Sequence, residues 1–296
     1  MSVQHGRRFF VGTCFGIAST VFFPNILFAI PLPDRGENVN LKRRLRFRLG
    51  LQNTLAHGLV NQKFWCYMPL ESERQSIHEI EVSMPYRLKT DYFGHRILEL
   101  SFDEVPGYFQ KIVTLDIVVR FNEGQLPKAL SKDLDWVKNE RFIESDSPLI
   151  ISLAKQLRRE SHRQTIEAIY SWVSDNIEYA GFLPDDFGAS YALENRRGDC
   201  TEHAYLVAAL ARVNKIPAKV IGGYVADHDL APKPQDYHNW AEVFVNDRWF
   251  IIDAQKRCIY PASGKYVAFR IYSHVPINDV GTAHRYRIDG QLQVSF

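Results

Sequence analysis

Charged and apolar side chains alternate strictly through Arg44-Leu45-Arg46-Phe47-Arg48-Leu49, the period of a strand with one buried face. Four later runs read the same way: Lys63 to Met68, His78 to Met84, Arg96 to Phe102 and Lys111 to Phe121. Turn formers stand between them at Pro85, Asp91, Gly94 and Pro106-Gly107. Five strands at this spacing predict a small antiparallel sandwich. Gln125 to Ser147 is polar and punctuated by Pro127 and Pro148, which marks a boundary. Beyond it the period changes. Leu149, Ile150, Leu153, Ala154 and Leu157 recur at three and four, and Ile166, Ile169, Tyr170, Val173 and Ile177 repeat the pattern over Thr165 to Ile177, so two helices are expected. Cys200 to Val213 is alanine-rich and apolar on most faces, the mark of a buried helix. Asn239 to Val245 and Arg248 to Asp253 are strands around the two-residue loop Asn246-Asp247. At the end of the chain, Arg285 to Ile288 and Gln291 to Val294 flank Asp289-Gly290, a hairpin signal expected to extend the sheet of the second half.

The 296 residues have room for two domains and a sizeable core. With 46% apolar and 24% charged residues, wholesale disorder, a collagen-like repeat and a disulfide-packed fibre are excluded. Lys plus Arg number 36 against 34 Asp plus Glu, and a net charge of +2 gives no electrostatic case for nucleic acid. Ahead of the first strand the order is basic (Met1 to Arg8), apolar (Phe9 to Phe23), then apolar again after Pro24-Asn25, as in a secretory leader. Arg7-Arg8-Phe9-Phe10 resembles a twin-arginine export motif, and Leu27-Phe28-Ala29 suits a cleavage site. Phe9 to Ile30 also just reaches spanning length, so an uncleaved anchor is the alternative. The expected organisation is therefore a leader or anchor over residues 1–33, a β-sandwich over 34–145 and a second domain over 146–296. The protein is expected to be exported, either periplasmic or anchored to the inner membrane facing the periplasm, and to touch the membrane only through its N-terminal segment. Of Cys14, Cys66, Cys200 and Cys258, three remain after removal of a leader, so at least one thiol is unpaired within the chain. Cys66 and Cys258 are the pair available for a bridge, and Cys200 is expected to be free.

The chemistry concentrates between Gly198 and Asp253. Arg196 to Asp199 reads as a turn, with Asp199 as N-cap and Glu202 three residues on completing a capping box. Cys200 then holds the first helical position, where unpaired N–H groups favour a thiolate and suit an oxyanion. A buried cysteine serving as a small apolar residue is the plainer reading. His238 and Asp253 change the balance. With a two-residue loop Val245 faces Arg248, Trp240 faces Asp253 and His238 faces Gln255, so Asp253 and His238 share a face one diagonal step apart. A one-residue slip would separate them. His203 also lies on the Cys200 helix; with Cys200, His238 and Cys258 it offers zinc-type donors, although the long irregular spacing is unlike a structural zinc site. Glu242 falls on the His238 face. Ala226 to Tyr237 is either a cover for the cleft or an ordinary surface connection.

These residues match a known pattern. Gly198-Asp199-Cys200-Thr201-Glu202-His203-Ala204, His238-Asn239-Trp240-Ala241-Glu242-Val243 and Trp249-Phe250-Ile251-Ile252-Asp253 resemble the bacterial transglutaminase-like branch of the papain-like superfamily. Ile169 to Tyr179 resembles that family's helix before the nucleophile, and Ile216 to Val220 with Gly222 to Val225 its strand after it. The resemblance covers residues 149 to 255. It implies an α+β fold whose nucleophile helix packs on an antiparallel sheet, so the chain as a whole is expected to be α+β, the N-terminal antiparallel sandwich read above followed by this catalytic domain. It implies Cys200 as nucleophile, His238 as general base and acid and Asp253 as the group orienting the imidazole, with no cofactor and no metal. Cys200 would form a thioester from a protein or peptide amide, resolved by water as in a peptidase or by an amine as in a transglutaminase. The Cys200 N–H would serve the oxyanion, and Tyr179 is a candidate second donor. The alternative from a different class is a non-catalytic envelope binding or assembly module on the same fold.

Overall fold

The computed structural model describes residues 41–122, 136–262, 264–273, 275 and 277–296. The expected leader and residues 125–135 of the polar boundary segment lie outside them. The first part holds β1 (Lys42–Gln52), β2 (Leu59–Met68), β3 (Gln75–Val82), β4 (Arg87–Thr90), β5 (Arg96–Val105) and β6 (Gln110–Phe121). There follow α1 (Pro148–Leu157), α2 (His162–Asn176), β7 (Glu178–Tyr179), α3 (Ala189–Asn195), β8 (Arg197–Gly198), α4 (Cys200–Val213), β9 (Ala218–Val225), β10 (Tyr237–Val245), β11 (Arg248–Asp253), β12 (Cys258–Ile259), β13 (Tyr266–Ile271), β14 (Tyr286–Asp289) and β15 (Gln293–Ser295). This is an α+β fold built mostly from antiparallel sheets.

Alternation in β1 does what the pattern demands: Leu45, Phe47, Leu49 and Leu51 are buried while the arginines between them face outward. Two four-stranded sheets, ordered β15-β1-β6-β3 and β14-β2-β5-β4, share one core in which Leu45, Leu49 and Ile117 meet Phe64, Ile97 and Leu100. β4 is a strand where turn signals were read. It has four residues at a sheet edge, with only Leu88 packed inward, too short for periodicity to reveal. Arg44 and Arg46 both pair with Asp116 across the sheet, a solvated ion-pair face.

The third sheet runs β12-β11-β10-β9-β13 and packs on α4. α4 is buried from Thr201 to Arg212, with α1, α2 and α3 closing the sides the sheet leaves open. α1 and α2 start where expected within a few residues, and the Ser161 capping box with Gln164 fixes the start of α2. Gly223 is paired with His238, and a Cβ there would run into the Val267 carbonyl and the Trp240 ring, so the close approach of β13 to β9 requires glycine. Tyr224, Val267 and Phe269 reach from this sheet into the sandwich core. Among the described residues no helix is long and apolar enough to cross a membrane.

The C-terminal hairpin expectation fails. β14 pairs with Lys63 to Cys66 of β2, and β15 pairs with Gly50 to Gln52 of β1, so the two strands sit in different sheets of the sandwich rather than in the third sheet. Gly290 makes the crossing at φ 126°, and Leu292 between the strands is buried against Leu59 and Val105. Burial of Leu292 outweighs the local turn preference. The Ala226 to Tyr237 segment is a tethered connection: Leu230 exchanges backbone hydrogen bonds with Arg44 and Arg46 of β1. Cys66 and Cys258 are both free, Cys66 inside the sandwich core. Leu292→Ala is expected to lower stability by about 2–3 kcal/mol in a denaturant titration, as for a buried leucine; a loss below about 0.5 kcal/mol, typical of an exposed position, would contradict the crossing.

Candidate active site

α4 begins as the capping pattern requires. Asp199 accepts from the Thr201 N–H at 2.6 Å, and Glu202 returns a bond to the Asp199 N–H at 3.1 Å. Each carboxylate also holds the preceding loop: Asp199 accepts from the Leu183 N–H at 3.2 Å and Glu202 from the Phe187 N–H at 3.0 Å. Cys200 is thereby fixed at the first helical position, partly open to solvent while the rest of the helix is covered.

The β10–β11 hairpin has the expected register. Val245 pairs with Arg248 and Ala241 with Ile252, and Asn246 and Asp247 adopt φ 50° and 60°, the left-handed pair that a two-residue turn needs. Asp253 and His238 consequently meet: the ring Nε2 lies 2.7 Å from Asp253 Oδ2, with both side chains buried. Two further donors hold that carboxylate, the Tyr266 hydroxyl to Oδ2 at 2.8 Å and the Lys256 N–H to Oδ1 at 3.0 Å. An acceptor at Nε2 selects the Nε2–H tautomer, which leaves Nδ1 as the basic nitrogen.

Cys200 joins this pair through the neighbouring residue. The Asn239 N–H and the charge of Asp253 both act on its sulfur, while among the described residues no hydrogen bond links it to the His238 ring. The Asn239 side chain ties the strand to the helix, donating to Thr201 Oγ1 at 2.7 Å and accepting from the Tyr272 hydroxyl at 3.0 Å. Tyr179 stands beside the sulfur. Its hydroxyl is pushed up by burial first, then by charge at Cys200 and Asp199. His203 has no open nitrogen toward the cleft: Nδ1 lies 2.6 Å from the Asp199 carbonyl oxygen and Nε2 3.2 Å from that of Ile177. Glu242 faces away from α4 and borders a cavity of about 590 Å³ with Trp249 and Tyr266.

Residues 151–254 match the sequence model of the transglutaminase-like superfamily. They are a transglutaminase-like domain. The UPF0252 protein MJ1282 of Methanocaldococcus jannaschii is 22% identical over 187 residues, 55% of this chain and 53% of that relative, so the chain spans about half of its length. A crystal structure of a candidate cysteine protease from Cytophaga hutchinsonii covers 88% of this chain and 90% of its own, at 18% identity and a TM-score of 0.62, a likeness of fold. The periplasmic domain of TgpA from Pseudomonas aeruginosa is more distant, 15% identical over 68% of this chain and 73% of its own, with a TM-score of 0.39.

Within the transglutaminase-like domain the surroundings of Cys200 do not favour a resting thiolate. Burial pushes the thiol up to about 12, and the Asp199 charge adds to it. The Asn239 N–H and the Thr201 hydroxyl oppose this, and Asp253 raises it further. The expected helix-end stabilisation is outweighed by desolvation and two carboxylates. Tyr266, Asn239 and Tyr272 went unread in the sequence. Tyr266 lies 13 positions after Asp253 in β13, and no local pattern signals that β13 folds back beside it.

Glu202 is held well above its ordinary value of 4.5, at about 7, by burial first and the Asp199 charge second. The folded state therefore keeps a proton that the unfolded chain releases near 4.5, and stability falls as pH rises from there to about 7. The melting temperature of the wild type relative to Glu202→Gln is expected to drop by several degrees between pH 5 and 7.5. A difference that stays constant with pH would contradict the assignment.

Proposed function

We propose that the chain is an exported cysteine acyl-transfer enzyme acting on amide bonds of proteins or peptides, with Cys200 as nucleophile, His238 as general base and acid, and Asp253 as the group that orients His238. The observation that supports this reading is the Nε2 bond from His238 to Asp253, which leaves Nδ1 as the ring nitrogen able to take a proton. In the first half-reaction the thiol proton passes to Nδ1 as sulfur bonds to the amide carbon. The tetrahedral oxyanion is met by the Cys200 N–H and the Tyr179 hydroxyl. Its C–N bond then breaks, the amine takes the proton from Nδ1, and a thioester remains. In the second half-reaction a water gives its proton to Nδ1 and its oxygen to the acyl carbon, and sulfur leaves to recover the proton.

Water is favoured over an amine because the rim is open. Tyr179 is 52% exposed and Phe182 84%, so solvent reaches the segment leading into α4, from which water would meet the thioester. Export rests on the basic-then-apolar N-terminal segment.

Two measurements test this together. Candidate peptides incubated with a labelled amine are expected to give mainly free acid by mass spectrometry, and His238→Ala should slow turnover about a thousandfold. Iodoacetamide modification of Cys200 in His238→Ala should also shift its pH midpoint upward, toward the value near 12 that the surroundings impose on an unassisted thiol. No product from any peptide, with an alkylation profile unchanged by His238→Ala, would point instead to a binding module.

A further inference from the structure

A second cavity, of about 450 Å³, lies beyond the chemistry above and is bordered by Arg270, Tyr205, Tyr272 and His284. Arg270 belongs to β13 and is only 4% exposed. Its guanidinium is held between two rings, 4.4 Å from the centre of Tyr272 and 5.6 Å from that of Tyr67. Its Nη1 is buried and has no hydrogen-bond partner among the described residues. Among the described residues it forms no salt bridge with a carboxylate, and its close neighbours are the neutral rings of Tyr272 and Tyr67. A guanidinium stays protonated in a protein, so this is a fixed, desolvated positive charge without a counter-ion.

Of the three acids along the cavity wall, Asp185 is exposed to solvent and the other two are engaged. Asp186 accepts from the Tyr205 hydroxyl at 3.2 Å and sits 3.1 Å from His284 Nε2; Glu140 is paired with Arg212 at 2.7 Å. Their charges would repel a dianion more than a monoanion. The planar edge of a guanidinium matches the two oxygens of a carboxylate. We propose that this cavity binds a monoanionic carboxylate through Arg270, and that in catalysis the carboxylate belongs to the acyl substrate.

The second half of this statement rests on the acyl-transfer reading. It follows from the way the cavity joins the site. Tyr272 bonds the side chain of Asn239, whose N–H meets the Cys200 sulfur. Tyr205 lies five positions after Cys200 on α4, about 7.5 Å along the helix axis. That is about two residues of extended peptide, so the carboxylate is either a chain terminus or an acidic side chain near the scissile bond.

The binding test uses the full chain carrying Cys200→Ser and isothermal titration with three probes: N-acetylglycine, N-acetylglutamate α-amide and N-acetylglycinamide. One carboxylate is expected to bind at least tenfold tighter than the neutral amide, and which one does so identifies the source. Arg270→Lys, which keeps the charge and loses the fork, should weaken that binding at least tenfold with the melting temperature within a few degrees of the parent; Tyr205→Phe should weaken it severalfold. Equal binding of acid and amide, or carboxylate binding unchanged in both variants, overturns the site. A separate assay on the chain with Cys200 intact compares peptides whose carboxylate is free or amidated. Turnover that ignores the carboxylate defeats the substrate assignment alone. Carboxylate binding without turnover of any peptide defeats the acyl-transfer reading and leaves the site standing.

Discussion

A helix that is apolar on every side must be covered on every side, and α4 makes that demand on the rest of the chain. Its residues from Thr201 to Arg212 are buried, so a sheet, three helices and a loop are needed to enclose it. The amino end stays partly open, and the first turn has N–H groups that need polar partners rather than apolar cover. Asp199 and Glu202 supply those partners and, with their remaining oxygens, hold Leu183 and Phe187 of the preceding loop. The nucleophile candidate thus lies at the one place where the core of the domain opens, and the groups that open it also shape its rim.

The second constraint is register. Two left-handed residues at Asn246 and Asp247 decide which strand positions pair, and through them which side chains share a face with His238. Asp253 arrives there by hairpin geometry; Tyr266 arrives by the pairing of β13 with β9, made close by Gly223. Both end on the same carboxylate oxygen story from opposite directions: His238 and Tyr266 each donate to Asp253 Oδ2. A carboxylate held by three donors cannot rotate freely, and the imidazole it binds inherits that order.

Much of this was legible because it is local. A capping box needs four residues and a hairpin two, so Asp199, Glu202, Asn246 and Asp247 could be read directly, and the helix position of Cys200 and the shared face of His238 and Asp253 followed from them. What escaped was long-range. β14 and β15 join the sandwich through partners more than 200 positions away, and Gln75 donates to the Ala268 carbonyl across 193 positions. Asp289-Gly290 carries the residues of a hairpin turn, and only the burial of Leu292 redirects it. α3 has seven residues and too few turns for a period to show. The charge state of Cys200 escaped for another reason. A helix end favours a thiolate by position alone, but the sign of the total depends on burial and on which carboxylates the fold brings near.

On the acyl-transfer reading proposed above, that total would shape the reaction. Asp199 and Asp253 both act on the sulfur, and both raise its pKa. An isolated thiolate would add a third negative charge to a partly desolvated pocket. Moving its proton to His238 instead leaves the net charge of the pocket unchanged and puts the new cation on the bond to Asp253. Water as proton acceptor would export the cation and keep the repulsion, so the internal transfer is the less costly route. The oxyanion that follows meets the same field. It is tolerated while the imidazolium persists and opposed once that proton is gone, so collapse to the thioester and protonation of the leaving amine are driven together. On that reading, the two carboxylates that add to burial in making the resting thiol a poor nucleophile would also make the tetrahedral species short-lived once its proton has left the ring.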